Sequence, residues 1–112
     1  MSITRSATRG TSVILQDAVT TGNGLVLAIP DSFKYHKLYI KGSAGIGSGA
    51  VQPESADAFD YAGTWAQIGG GPITVVVSAE LEVDFVGVYK FIRVRVSTDI
   101  VGGTVTVTYE GS

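Results

Sequence analysis

The stretch ELEVDFVGVYKFIRVRVS, residues 80–97, decides the fold. In its first part Leu81, Val83 and Phe85 alternate with Glu80, Glu82 and Asp84; in its second, Ile92, Val94 and Val96 alternate with Arg93 and Arg95. Successive side chains of a strand point to opposite faces, so strict alternation marks half-buried β-strands. A turn over Val86–Tyr89 makes the pair a β-hairpin. Antiparallel register then sets Glu82 across from Arg93, Glu80 across from Arg95, and Leu81 across from Val94 on the buried face. Opposite charges across a ladder contribute roughly 0.2–1 kcal/mol each, and a one-residue slip would turn every valine to solvent. Pattern and charge agree on this register.

Outward from the hairpin the same grammar continues. Thr104–Tyr109 (TVTVTY) places Val105, Val107 and Tyr109 inward after a turn over Thr98–Gly103, and Lys37–Lys41 (KLYIK) buries Leu38 and Ile40. Ser12–Gln16, Leu25–Ile29, Thr64–Ile68 and Ile73–Ser78 are further strand runs. They are separated by Thr21-Gly22-Asn23-Gly24, Pro30-Asp31-Ser32 and Gly69-Gly70-Gly71-Pro72, all turn signals. About eight short strands with turns at such spacing, and no helical period, predict an all-β fold: an antiparallel β-sandwich, jelly-roll-like, with a closed barrel as the alternative. Residues 42–63 (GSAGIGSGAVQPESADAFDYAG) show no sustained period. They either hide a short strand around Ala50–Gln52 or form a long loop across the end of the sandwich, and the loop is the expectation. Residues 1–11 (MSITRSATRGT) carry Arg5 and Arg9 and no apolar period, so they read as an N-terminal arm before a single domain over residues 12–112.

Composition narrows the function classes. The 112 residues contain no cysteine and one histidine, which excludes disulfides, thiol catalysis, Cys-based zinc sites and three-His metal centres. Eight basic against ten acidic residues argue against nucleic-acid binding by phosphate neutralisation. No apolar run is long enough for a membrane span and no secretory leader is expected. Only 16% of residues are charged, against roughly 25% in an average domain, so apolar surface is expected to meet a partner.

Candidate chemistry is sparse. Glu54, Asp57 and Asp60 lack the spacing of a calcium loop and read as solvated acids. His36 has no oriented nucleophile or acid in the pattern and reads as a surface or interface histidine. Glu80, Glu82 and Asp84 share a face with Arg93 and Arg95 and read as a salt-bridged sheet surface rather than a carboxylate pair for glycoside hydrolysis. The triple glycine lacks the Lys-Ser/Thr of a phosphate loop. Trp65 with Tyr35, Tyr39, Phe59 and Tyr61 could build a sugar-stacking platform, although core or interface packing is the favoured reading. No catalytic, cofactor or metal site is expected, and no enzymatic activity.

The second half of the chain resembles a β-sandwich module of tailed-bacteriophage structural proteins. The resemblance rests on Ser55-Ala56-Asp57, on residues 63–69 (GTWAQIG), on residues 88–97 (VYKFIRVRVS) and on residues 102–109 (GGTVTVTY). It implies a virion component: a capsid decoration (cement) protein, made in the host cytoplasm and carried on the capsid surface, or a small head or tail accessory subunit. Such a protein self-associates, commonly as a trimer, and docks on the major capsid protein without nucleic acid or membrane. The contacts would come from the arm and the long loop, with Arg5, Arg9, Ile46, Val51, Phe59 and Tyr61 as the partner-binding residues. The alternative is a carbohydrate-binding module.

Overall fold

The computed structural model describes residues 5–9, 11–75 and 80–112, with Arg5 described by its backbone alone. Ten strands form two sheets and no helix occurs among these residues. Sheet I holds β1 (Arg5–Ser6), β3 (Leu27–Ala28), β9 (Phe91–Val101) and β5 (Ser48–Ala56) in that order. Its far edge, alongside β5, is shared by β6 (Ala66–Gln67) and β7 (Ile73–Thr74). Sheet II has the order β2 (Val13–Val19), β10 (Val105–Gly111), β4 (Tyr35–Gly42), β8 (Glu80–Val86). All ladders are antiparallel except β1 with β3.

The pairings are nested: β2 with β10, β3 with β9, β4 with β8, and β5 with the broken strand β6/β7. A long hairpin rolled so that successive strands alternate between two sheets gives this order, which is the jelly roll. The inward rows form one core. Leu38, Ile40, Val105, Val107 and Tyr109 of sheet II face Leu27, Val51, Ile92 and Val94 of sheet I, all fully buried. Burying each such aliphatic side chain contributes about 1.5–3 kcal/mol.

The expected hairpin of residues 80–97 is not formed. β8 pairs with β4 in sheet II, so Glu82 lies across from Tyr39, Glu80 from Lys41 and Leu81 from Ile40. β9 lies in sheet I between β3 and β5, where Arg93 opposes Glu54 and Arg95 opposes Gln52. The connection Gly87–Lys90 is an arch between sheets. Extended, it reaches about 13 Å, enough to cross the ~10 Å between packed sheets. Alternation fixes which side chains face inward, and both arrangements satisfy it.

Residues 42–63 are a second correction. Their middle is β5, nine residues long and central to sheet I, rather than a loop. Glycine and proline masked it. Gly49 sits at a register shift with φ of 142°. Pro53 lies between the residues that pair with β7 (Ala50, Val51) and β6 (Glu54, Ser55), where the neighbouring ladder is interrupted and a missing N–H costs least. At the N-terminus the chain joins the sheet earlier than residue 12: β1 pairs with β3, the Ala7 N–H donates to the Ala28 carbonyl at 2.8 Å, and Ala7 is buried. Of the run 73–78, only Ile73–Thr74 is strand; residues 76–78 lie outside the described residues.

Candidate functional site

Two surfaces carry groups beyond what the core requires. The first is the end of sheet II where β4, β8 and β10 meet. Tyr35 and Val86 are cross-strand partners there, 64% and 69% exposed, with Val88 beyond them at 60%. A cleft of about 580 Å³ opens beside them, bounded by Arg9, Lys37, Asp84 and Glu110. β8 is the outer strand of its sheet, so one side of its backbone has no ladder partner among the described residues. Its inward residues Leu81, Val83 and Phe85 are only half-buried, because the facing edge of sheet I is the short pieces β6 and β7. On the outer face Lys37 lies 3.7 Å from Glu82 and 3.9 Å from Asp84, and these carboxylates raise its pKa.

His36 forms the floor of this end and is buried, not the surface histidine expected. Its Nε2–H donates to the Gly87 carbonyl at 2.8 Å, which leaves Nδ1 to accept from the Tyr109 hydroxyl at 2.7 Å. The ring stacks on Phe85, centroids 4.9 Å apart, and meets the edge of Tyr89 at 5.4 Å. Desolvation lowers its pKa from 6.5, outweighing the Gly87 hydrogen bond, which acts the other way. Burial pushes Tyr109 up to about 12. Both imidazole nitrogens are committed to these bonds, so His36 secures the β8–β9 arch to β4 and β10 and is not poised for proton transfer.

The second surface is the outer face of sheet I. Glu54 on β5 is buried and accepts from Nε–H of Arg93 at 3.0 Å and of Arg95 at 3.1 Å. The Arg93 guanidinium also lies 4.2 Å from the centroid of Trp65, a cation–π contact. Trp65 is buried, and its Nε1–H donates to the Tyr61 carbonyl at 3.0 Å. Glu54 is therefore neither a loop acid nor a calcium ligand, and the arginines pair with it rather than with Glu80 and Glu82. The aromatic platform is not assembled: Trp65 lies beneath Arg93, and Tyr35 and Tyr39 belong to the other sheet.

The six sequence-predicted contact residues are scattered. Ile46 and Val51 are buried in the core rather than exposed to a partner, Val51 on β5 and Ile46 in the turn that precedes it. Arg9 is exposed, 5.4 Å from the Phe33 ring at the rim of the cleft. Arg5 lies on β1. Phe59 is half-buried against Phe91 at 6.4 Å, and Tyr61 is exposed. Val86 and Val88 are absent from the sequence-predicted contacts, and Tyr35 enters there only as a platform aromatic, although Val86 carries a signal: it continues the outward row of Glu80, Glu82 and Asp84 with an apolar residue.

Among the described residues no three His, Cys, Asp or Glu side chains are grouped to hold a metal ion, and no helix is long and apolar enough to cross a membrane. Compared with known protein families, curated proteins and solved structures, the chain matches none.

Proposed function

We propose that this chain is a non-enzymatic structural subunit of a multi-copy assembly, a capsid decoration protein of the kind its bacteriophage-like segments imply, which self-associates and docks on a major capsid protein at the virion surface. The observation that carries the reading is the outer edge of β8, without a ladder partner among the described residues, with Tyr35, Val86 and Val88 exposed beside it. An outer strand with apolar neighbours is a template for association unless another chain covers it. The jelly roll supports the reading because the architecture recurs in viral capsid domains, although fold alone does not assign function. Contacts that exist only in the assembled shell would stabilise that shell by linkage. The burial of Trp65 counts against the carbohydrate-binding alternative, which rested on that ring and its neighbouring tyrosines.

The test is the native mass of the full chain by light scattering on a sizing column. A defined multiple of 11.6 kDa, a trimer above all, is expected, with Val86→Lys and Val88→Lys together shifting it toward the monomer. A clean monomer at every concentration tried removes the self-association on which the reading depends.

A further inference from the structure

The outward rows of β8 and β9 have matching chemistry and belong to different sheets. Along β9, Phe91, Arg93 and Arg95 point out of sheet I; along β8, Val86, Asp84 and Glu82 point out of sheet II. Alternate residues of a strand are about 7 Å apart, so both rows repeat at one spacing: apolar, charged, charged. The arginine row is net positive, because Glu54 is the single acid bonded to its two guanidiniums. The acidic row holds Glu80, Glu82 and Asp84 beside Lys37 and Lys41 and is net negative. The acidic row is open, with Glu82 and Asp84 side chains 57% and 72% exposed; on the receiving row Arg95, at 35%, carries the accessible charge, and Arg93, at 15%, lies deeper.

Within one chain the rows cannot meet, since they lie on opposite outer faces of the sandwich. Between two chains they can. We infer that the outer face of sheet I in one copy receives the β8 row of a second copy: Phe91 against Val86, Arg93 against Asp84, Arg95 against Glu82. Phe59 packs beside Phe91, and Tyr61 near Trp65 is exposed, so both widen the apolar part of the receiving surface. Glu54 positions the receiver by holding both Nε atoms, and a guanidinium bonded at Nε still offers its terminal nitrogens to a second carboxylate. The symmetric alternative, β8 against β8, sets Glu82 across from Asp84 when centred on Val83, and like charges across a ladder repel. Two different patches in contact make a heterologous interface, which closes into a ring, such as a trimer, or continues as a filament.

This assignment rests on the self-association proposed above, and charge exchange separates the two. The full chain is compared with Glu82→Lys/Asp84→Lys, with Arg95→Glu, and with an equimolar mixture of these two variants, by light scattering on a sizing column. Each variant alone is expected at 11.6 kDa, and the mixture is expected to show a species heavier than the monomer, since the unchanged acidic row of Arg95→Glu meets the unchanged arginine row of the double variant. Added salt should lower the wild-type mass, because the rows attract through solvent-screened charge. A wild-type multimer that neither substitution disturbs, or a mixture that stays monomeric, overturns the interface and leaves self-association standing. A wild-type monomer overturns both. Far-UV circular dichroism checks folding; if Arg95→Glu fails to fold, the exposed acidic-row variant decides alone, retention of wild-type mass refuting the contact and monomer formation supporting it.

Discussion

Glu54→Ala tests whether the arginine pair is held from beneath. The carboxylate is buried and bonds Arg93 Nε at 3.0 Å and Arg95 Nε at 3.1 Å. Removing it leaves two like charges side by side with no acid between them. Breaking a buried ion pair by deleting one partner costs about 3–5 kcal/mol. The lower end applies, because Arg95 is 35% exposed and water screens it in part, whereas Arg93, at 15%, is shielded. An expected loss of about 3 kcal/mol corresponds to a fall of roughly 12 °C in Tm for a domain of this size. With a urea m-value near 1.5 kcal/mol/M, the midpoint drops by about 2 M. Trp65, the single tryptophan, reports unfolding through its fluorescence and also reports the loss of its Arg93 contact before unfolding begins. Glu54→Gln keeps an acceptor without the charge and should fall between Ala and wild type. A loss below about 1 kcal/mol for Glu54→Ala is what an exposed pair gives, and would refute the view that the guanidiniums depend on this carboxylate.

Three further perturbations follow from the site and the turns. His36 has its folded pKa below 6.5, so the unfolded chain binds more protons in the acidic range; its contribution is complete above about pH 6.5 and lost as pH falls through the folded value, and urea midpoints measured from about pH 8 to pH 5 should decline less steeply in His36→Gln. Tyr109 has the opposite sign: with its pKa raised from 10.0 to about 12, its contribution is present below pH 10 and lost as pH rises toward 12, visible as a late tyrosinate absorbance step absent from Tyr109→Phe. The same substitution leaves His36 Nδ1 without its donor and should cost about 1–2 kcal/mol at neutral pH. Gly102 has φ of 86°, and a Cβ there would stand 2.5 Å from the Gly45 carbonyl oxygen, so Gly102→Ala should cost about 2 kcal/mol or more in urea denaturation; Gly70→Ala, where a Cβ meets nothing within 4 Å, should leave the midpoint near wild type.

Facing was legible in the sequence because it is local. Leu38 and Ile40, Val105, Val107 and Tyr109, and Ile92 and Val94 are buried as their alternation predicts. Burial of β5 was not legible, because the same nine residues carry Gly49 and Pro53, which usually end strands. Here one sits at a bulge and the other beside an interruption in the adjacent ladder, and both accommodations depend on neighbours distant in sequence. His36 failed for a related reason. A histidine beside Tyr35 looks exposed until the Tyr109 hydroxyl and the Gly87 carbonyl, from two other elements, are brought to its ring nitrogens.

Lateral neighbours are a different kind of information, and the pair β8 and β9 shows why. A short connection between alternating, oppositely charged strands fits a hairpin and an arch equally well, since both turn Leu81, Val83, Ile92 and Val94 inward. What decides is the rest of the chain. β4 offers β8 a seven-residue ladder with Leu38 and Ile40 on the inward face, and β5 offers Arg93 and Arg95 a buried carboxylate from Glu54. Only the arch uses both. Its consequence is electrostatic: rows that a hairpin would have neutralised against each other are turned to opposite sides of the sandwich. For a solitary domain that separation leaves complementary charge unmatched. For a subunit that repeats, the same separation gives every copy a donor row and a receiver row for its neighbours.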